Sequence, residues 1–171
     1  MTKMKKKSGS KDYTEAFLKS NKDYHYNLEE GADPYLVSSG SMILDHVLGG
    51  GFGSGLHRFI GANEGGKTNE ALHVMHNMLK TVENSKGLFV MAEGRLSQEI
   101  KDRAGIKFVH SAEDWDVGTC LVLECHIMDT MIDFLRGLLK NNPDKEKFCI
   151  VIDSMDGLIT KEDLEKGSSD A

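Results

Sequence analysis

Gly61-Ala62-Asn63-Glu64-Gly65-Gly66-Lys67-Thr68 fits the pattern GxxxxGK[ST] in full. The stretch before it, Leu56-His57-Arg58-Phe59-Ile60, has strand composition, and the stretch after it, from Thr68 to about Glu83, has helical periodicity. Strand, glycine-rich loop and helix in that order are the setting of a phosphate loop. Glycines let the backbone curl so that successive N–H groups point at phosphate oxygens, and the helix that follows adds its positive N-terminal end. Lys67 can reach β- and γ-phosphates, while the Thr68 hydroxyl can ligate the magnesium ion that bridges them. The expected nucleotide contacts are Gly61, Ala62, Asn63, Glu64, Gly65, Gly66, Lys67, Thr68 and Asn69. The competing reading is a glycine-rich surface turn with an incidental Lys-Thr pair. It leaves both flanks, and a later strand ending in aspartate, unexplained.

Working outward, the helix after the loop carries Ala71, Val74, Met75, Met78, Leu79 and Val82 at spacings of three and four, one apolar stripe for packing on a sheet. Methionine at such positions fills core. A strand is expected at 87–92, ending at Glu93, then a helix at 96–104 stopped by Gly105. A short strand at 106–109 leads into an exposed acidic loop at 111–116. The next strand is 120–125, and the helix at 128–140 is expected to turn Met131, Ile132, Leu135, Leu138 and Leu139 inward. After a break at 141–144, a last strand at 148–152 leads to Asp153. Upstream, 12–20 can form a short amphipathic helix with Tyr13, Phe17 and Leu18 on one side, followed by a polar linker through Pro34. Ser39 or Ser41 would cap a second short helix at 42–48, which glycines from Gly49 to Gly55 end in a loop. Strands alternating with helices, each strand an unbroken apolar run, predict an α/β fold with a mostly parallel sheet covered on both faces.

In open parallel sheets, ligands sit beyond the carboxyl ends of the strands. Three expected strands end there in useful groups: the phosphate loop after Ile60, Glu93 after Ala92, and Asp153 after Ile152. Asp153 suits a magnesium-site carboxylate, against the plainer role of a helix N-cap. Glu93 suits a base that orients and deprotonates an attacking water, against an ion pair with Arg95.

The 171 residues suffice for one domain with a real core, and the formal charge of −6 excludes a basic field over the whole molecule. Basic residues crowd the N-terminus at Lys3, Lys5, Lys6 and Lys7, which reads as a solubilising tail or a nucleic-acid-seeking one. No apolar run reaches the ~20 residues of a membrane span, so a soluble, intracellular chain is expected. Cys120, Cys125 and Cys149 lie in apolar runs and are expected as reduced, buried thiols. Cys120, Cys125 and His126 match no common zinc spacing, and His73 and His76 lack the partner pattern of a metallohydrolase, so both histidines are expected in solvent.

The segment from Val37 to Asp45, followed by Leu48-Gly49-Gly50-Gly51-Phe52 and Gly55, resembles the stretch before the phosphate loop in RecA-type recombinases. There a Ser-x-Gly-x-x-x-Leu-Asp pattern precedes a glycine-rich turn into the first core strand. Ala92-Glu93 matches the family's catalytic glutamate position, and Val151-Ile152-Asp153-Ser154 its magnesium-site strand. The resemblance covers about 37–158. It implies the ATP-binding part of a DNA-dependent ATPase of homologous recombination and DNA repair, with ATP and Mg²⁺ as cofactors. Lys67 and Glu93 would be the catalytic residues, and Thr68 and Asp153 the metal ligands. Single-stranded DNA is the implied partner, self-association into a filament or ring the implied assembly, and a bacterial or phage-infected cytoplasm the implied location, the style of the chain suggesting a bacteriophage. The family's core continues past the aspartate strand with DNA-binding loops and a γ-phosphate sensor, so the core here is expected to be incomplete, with an open sheet edge. The expected organisation is a lysine-rich tail, short helix and linker at 1–36, the ATP-binding core at 37–160 and a polar tail at 161–171. Two other readings stand beside it: a RecA-fold helicase or clock-type ATPase, and a non-hydrolysing nucleotide-binding module that regulates a recombinase.

Overall fold

The computed structural model describes residues 10–20, 35–92, 94 and 96–164. They fall in two units, 1–34 and 35–171. In the first, helix α1 spans Ser10–Ser20 and stacks Tyr13 on Phe17 with ring centroids 6.5 Å apart. The linker at 21–34, the lysine cluster, Glu93, Arg95 and the tail from 165 lie outside the described residues.

The second unit orders its elements as α2 (Met42–Val47), α3 (Lys67–Thr81), β1 (Ser85–Met91), α4 (Gln98–Ala104), β2 (Lys107–Val109), β3 (Thr119–Glu124), α5 (Met128–Lys140) and β4 (Lys147–Asp153). The strands form one sheet in the order β2-β3-β1-β4, every pair parallel. Two of the three connections carry a helix back over the sheet, α4 between β1 and β2 and α5 between β3 and β4, while 110–118 joins β2 to β3 without one. The register sets Phe89 between Val122 and Val151, and Gly87 between Cys120 and Cys149.

The alternation along each strand then divides the core in two. One face gathers Phe89, Cys120 and the half-buried Met91, Cys149 and Val151 against Leu72, Met75, Ile100 and Ala104 of α3 and α4. The other gathers Leu88, Val90, Ala92, Leu121, Leu123, Ile150 and Ile152 against Met131, Ile132, Leu135 and Leu138 of α5. Leu72, absent from the expected stripe, is as buried as Met75. Full burial of such a side chain is worth about 1.5–3 kcal/mol, well above any single surface pair here. Burial also pushes the Cys120 and Cys149 thiols up to about 12, so both stay protonated.

Four expectations need correcting. Residues 56–60 form no strand: no ladder partner runs beside them among the described residues, and Leu56 and Ile60 are 99% and 80% exposed. A strand exists only by pairing, so composition alone could not supply one. Leu139 faces solvent, one position beyond the α5 stripe. His76 is half-buried, its ring Nδ1 bonded to the Gly105 carbonyl at 3.0 Å, where it ties α3 to the end of α4. Trp115, in the supposedly exposed loop, donates its indole N–H to the Gly87 carbonyl at 2.8 Å beneath the Lys86 ammonium.

Candidate functional site

The loop at 61–66 closes on itself before α3 begins. Gly65 N–H donates to the Ala62 carbonyl at 3.2 Å, and a Cβ on Gly65 would stand 2.9 Å from that same oxygen. Gly66 caps α3 from the left-handed region at φ 84, which a side chain would strain. Both glycines are therefore demanded by local geometry. Gly61, Ala62, Asn63, Glu64 and Asn69 are exposed around the turn, and Lys67 and Thr68 are half-buried at its exit.

The Lys67 ammonium folds back over the loop, donating to the Gly61 carbonyl at 3.0 Å and the Ala62 carbonyl at 2.7 Å. The Thr68 hydroxyl donates to Asp153 Oδ2 at 2.9 Å, a contact between residues 85 positions apart. The loop and the carboxyl end of β4 thus meet in space. Two oxygen donors, one anionic, converge there, and the Lys67 ammonium lies over the same loop. That donor chemistry suits a hard divalent cation such as Mg²⁺, which prefers carboxylate and hydroxyl oxygens. The residues present fit the cofactor.

The neighbouring strand end is tied to the same place. Ala92 N–H donates to the Asp153 carbonyl at 2.9 Å, so the residue before Glu93 sits against β4. The Ala92 carbonyl is taken by the His126 ring, Nδ1 at 2.8 Å.

Upstream, the serine-glycine-aspartate pattern has a clear physical role. Asp45 Oδ1 accepts from the Ser39 N–H at 2.7 Å and the Ser39 hydroxyl at 2.6 Å, and Oδ2 accepts from the Ser38 hydroxyl at 2.5 Å. These bonds, Ser38 first, hold the Asp45 carboxyl below its usual range. Asn77 of α3 donates to the Ser38 carbonyl at 2.8 Å, and Val37 bridges Phe52 through backbone bonds of 2.8 and 2.7 Å. The knot fastens the entry segment to the helix that carries the phosphate loop. It also holds α2, which Ser41 caps and which buries no residue of its own.

The loop and the aspartate were legible from sequence, whereas Asn77 and His126 had no local signal, because their partners are 39 and 34 residues away. Among the described residues no three His, Cys, Asp or Glu side chains cluster as a metal centre, and no helix is long and apolar enough to cross a membrane.

No family model matches the chain. It is 30% identical over 147 residues to Protein RecA of Mesoplasma florum, covering 85% of this chain and 40% of the relative. It is 29% identical over 161 residues to Protein RecA of Mycoplasma pneumoniae, covering 91% of this chain and 44% of the relative. The chain thus spans about two fifths of the length of these curated relatives. A parallel α/β sheet with the glycine-rich loop at 61–68 beside the carboxyl end of β4 agrees with that kinship: over this stretch the chain is related to the RecA family.

Proposed function

We propose that this chain is the ATP-binding part of a RecA-like, DNA-dependent ATPase that works in homologous recombination and DNA repair. The observation that carries the reading is the Thr68–Asp153 bond, which joins the phosphate loop to the end of β4. Lys67 and the loop amides would bind the triphosphate, and Thr68 and Asp153 would hold Mg²⁺, which when bound neutralises charge on the phosphates. Glu93, one residue past the anchored Ala92, would take the proton of the attacking water. Single-stranded DNA, assembly into a filament or ring, and a cytoplasmic setting are proposed on the strength of the RecA kinship. A RecA-fold helicase or clock-type ATPase keeps the same site, and a non-hydrolysing regulatory module is the reading that turnover measurements separate.

The test is ATP hydrolysis with and without single-stranded DNA. Turnover is expected to rise with DNA, and Glu93→Gln is expected to lower it by roughly 10²–10⁴ while ATP affinity stays within a few-fold. Tight ATP binding with no turnover in any condition would favour the regulatory module. Equal loss of binding and turnover in Glu93→Gln would remove Glu93 from the role of base.

A further inference from the structure

β4 (Lys147–Asp153) is the last strand on one side of the sheet, whose order is β2-β3-β1-β4. Lys147 N–H donates to the Asn84 carbonyl at 2.9 Å, and the Asp153 carbonyl accepts from Ala92 N–H at 2.9 Å. Both ends of β4 therefore turn their backbone groups toward β1. Along a strand that direction alternates, so Cys149 and Val151 do the same, while Phe148, Ile150 and Ile152 turn N–H and C=O outward. Among the described residues no strand pairs along that outer side. The exposure agrees: all seven residues of β4 are half-buried, whereas β1, flanked on both sides, buries five of its seven.

Edge strands are commonly guarded by being short, or by a proline, a bulge or a mid-strand charge. β2, at the opposite edge, is three residues long and begins with Lys107. β4 has no such guard along Phe148-Cys149-Ile150-Val151-Ile152, an apolar run without proline or glycine. Its charges stand at the two ends and are opposite in sign, Lys147 and Asp153. Neither is in an ion pair among the described residues. The Lys147 ammonium lies 5.5 Å from the centre of the Tyr35 ring, and Asp153 Oδ2 holds the neutral Thr68 hydroxyl.

We propose that β4 is a self-pairing edge, through which two copies of this chain join antiparallel about a twofold axis. In the register that fits, Ile150 faces Ile150 on the axis and Phe148 faces Ile152. Each of these facing positions exchanges two backbone bonds from the outward groups. Cys149 then faces Val151, and Lys147 faces Asp153 of the second copy, once at each end. Charge selects this arrangement. A parallel pairing would bring the two Lys147 ends together and the two Asp153 ends together, and like charges oppose it. Sliding the antiparallel register by two residues sets Lys147 against Val151, or Asp153 against Cys149, and loses both ion pairs.

The pairing is read from β4 alone and does not rest on the nucleotide reading. Because Asp153 is also the carboxylate proposed for Mg²⁺, the experiment is run without nucleotide and without Mg²⁺. Sedimentation velocity of the full chain over a concentration series should show one species giving way to another of twice the 18.9 kDa chain mass. Amide exchange followed by NMR over the same series should slow at Phe148, Ile150 and Ile152 as the dimer fills, with the β1-bonded amides of Cys149 and Val151 slow throughout. Lys147→Glu should weaken the dimer roughly 10-fold, since like charges then face each other. Lys147→Glu combined with Asp153→Lys should restore it to within about threefold of wild type. A chain that stays monomeric with fast exchange at the three outward amides overturns the proposal. So does a monomer in which those amides are protected at every dilution, since another segment of the chain would then cover the edge. A dimer whose outward amides stay fast, or one indifferent to Lys147→Glu, overturns the interface or its register. The wild-type exchange series decides the interface even if a charge variant folds poorly.

Discussion

Asp45 is the residue on which the segment before the phosphate loop turns. Its carboxylate accepts three hydrogen bonds from Ser38 and Ser39, and those bonds, with Ser38 the largest, depress its pKa. A group whose folded pKa is depressed adds stability above the unfolded value of about 3.9, and loses it as pH falls through the folded value. Asp45→Asn should therefore melt below wild type at pH 6 to 7, and the gap should close as the pH is taken below about 4. A gap that is as wide at pH 3 as at pH 7 would mean that the carboxylate charge contributes nothing. At this scale the sequence was informative where chemistry is local, as in the glycine, lysine and threonine of the loop. It misplaced His76 and Trp115 and gave His126 no partner, since each spends its polar atom on a carbonyl at least 28 residues distant.

At the scale of elements, apolar runs and helical stripes located α3, α5 and all four strands, since each buries a face whose period is written in the chain. Residues 56–60 were misread because strand formation depends on a neighbour, which composition cannot reveal. One tight element contact is where β1 passes between β3 and β4. A Cβ on Gly87 would lie 2.9 Å from Cys120 Cβ, 3.0 Å from Met75 Sδ and 3.2 Å from Cys120 Cα. Met75 can swing aside, but Cys120 is fixed in a paired strand. Gly87→Ala should cost about 1–3 kcal/mol, the usual penalty of overpacking, read as a lower urea midpoint at unchanged slope. An unchanged midpoint would show that β3 can shift, and that the sheet is looser than its register implies.

For the whole molecule, a net charge of −6 gives no general attraction to nucleic acid, so any DNA contact made by this chain has to be local. Lys3, Lys5, Lys6 and Lys7 are the concentrated basic cluster in the sequence. If they carry the binding, affinity for single-stranded DNA should fall with salt at a slope near −3, from about −0.7 per lysine, and deletion of residues 1–10 should abolish it. A salt-resistant complex that survives the deletion would put the DNA site outside residues 1–10. The second unit leaves apolar surface uncovered, at Met42, Ile43 and Val47 of α2 and at Leu56 and Ile60, in the region leading to the loop at 61–68. The arrangement as a whole has one central claim, that the loop at 61–68 and Asp153 form a single site for a nucleoside triphosphate with Mg²⁺. Thermal melting with ATP and Mg²⁺ tests it most directly. At a hundredfold excess over the dissociation constant, binding adds about 2.7 kcal/mol, which for a chain of this size raises the melting temperature by roughly 5–10 °C. Wild type should show that shift, Lys67→Ala should lose most of it, and Asp153→Asn should lose the part that depends on Mg²⁺. No shift in wild type with any nucleoside triphosphate, or an equal shift in Lys67→Ala, would contradict the site.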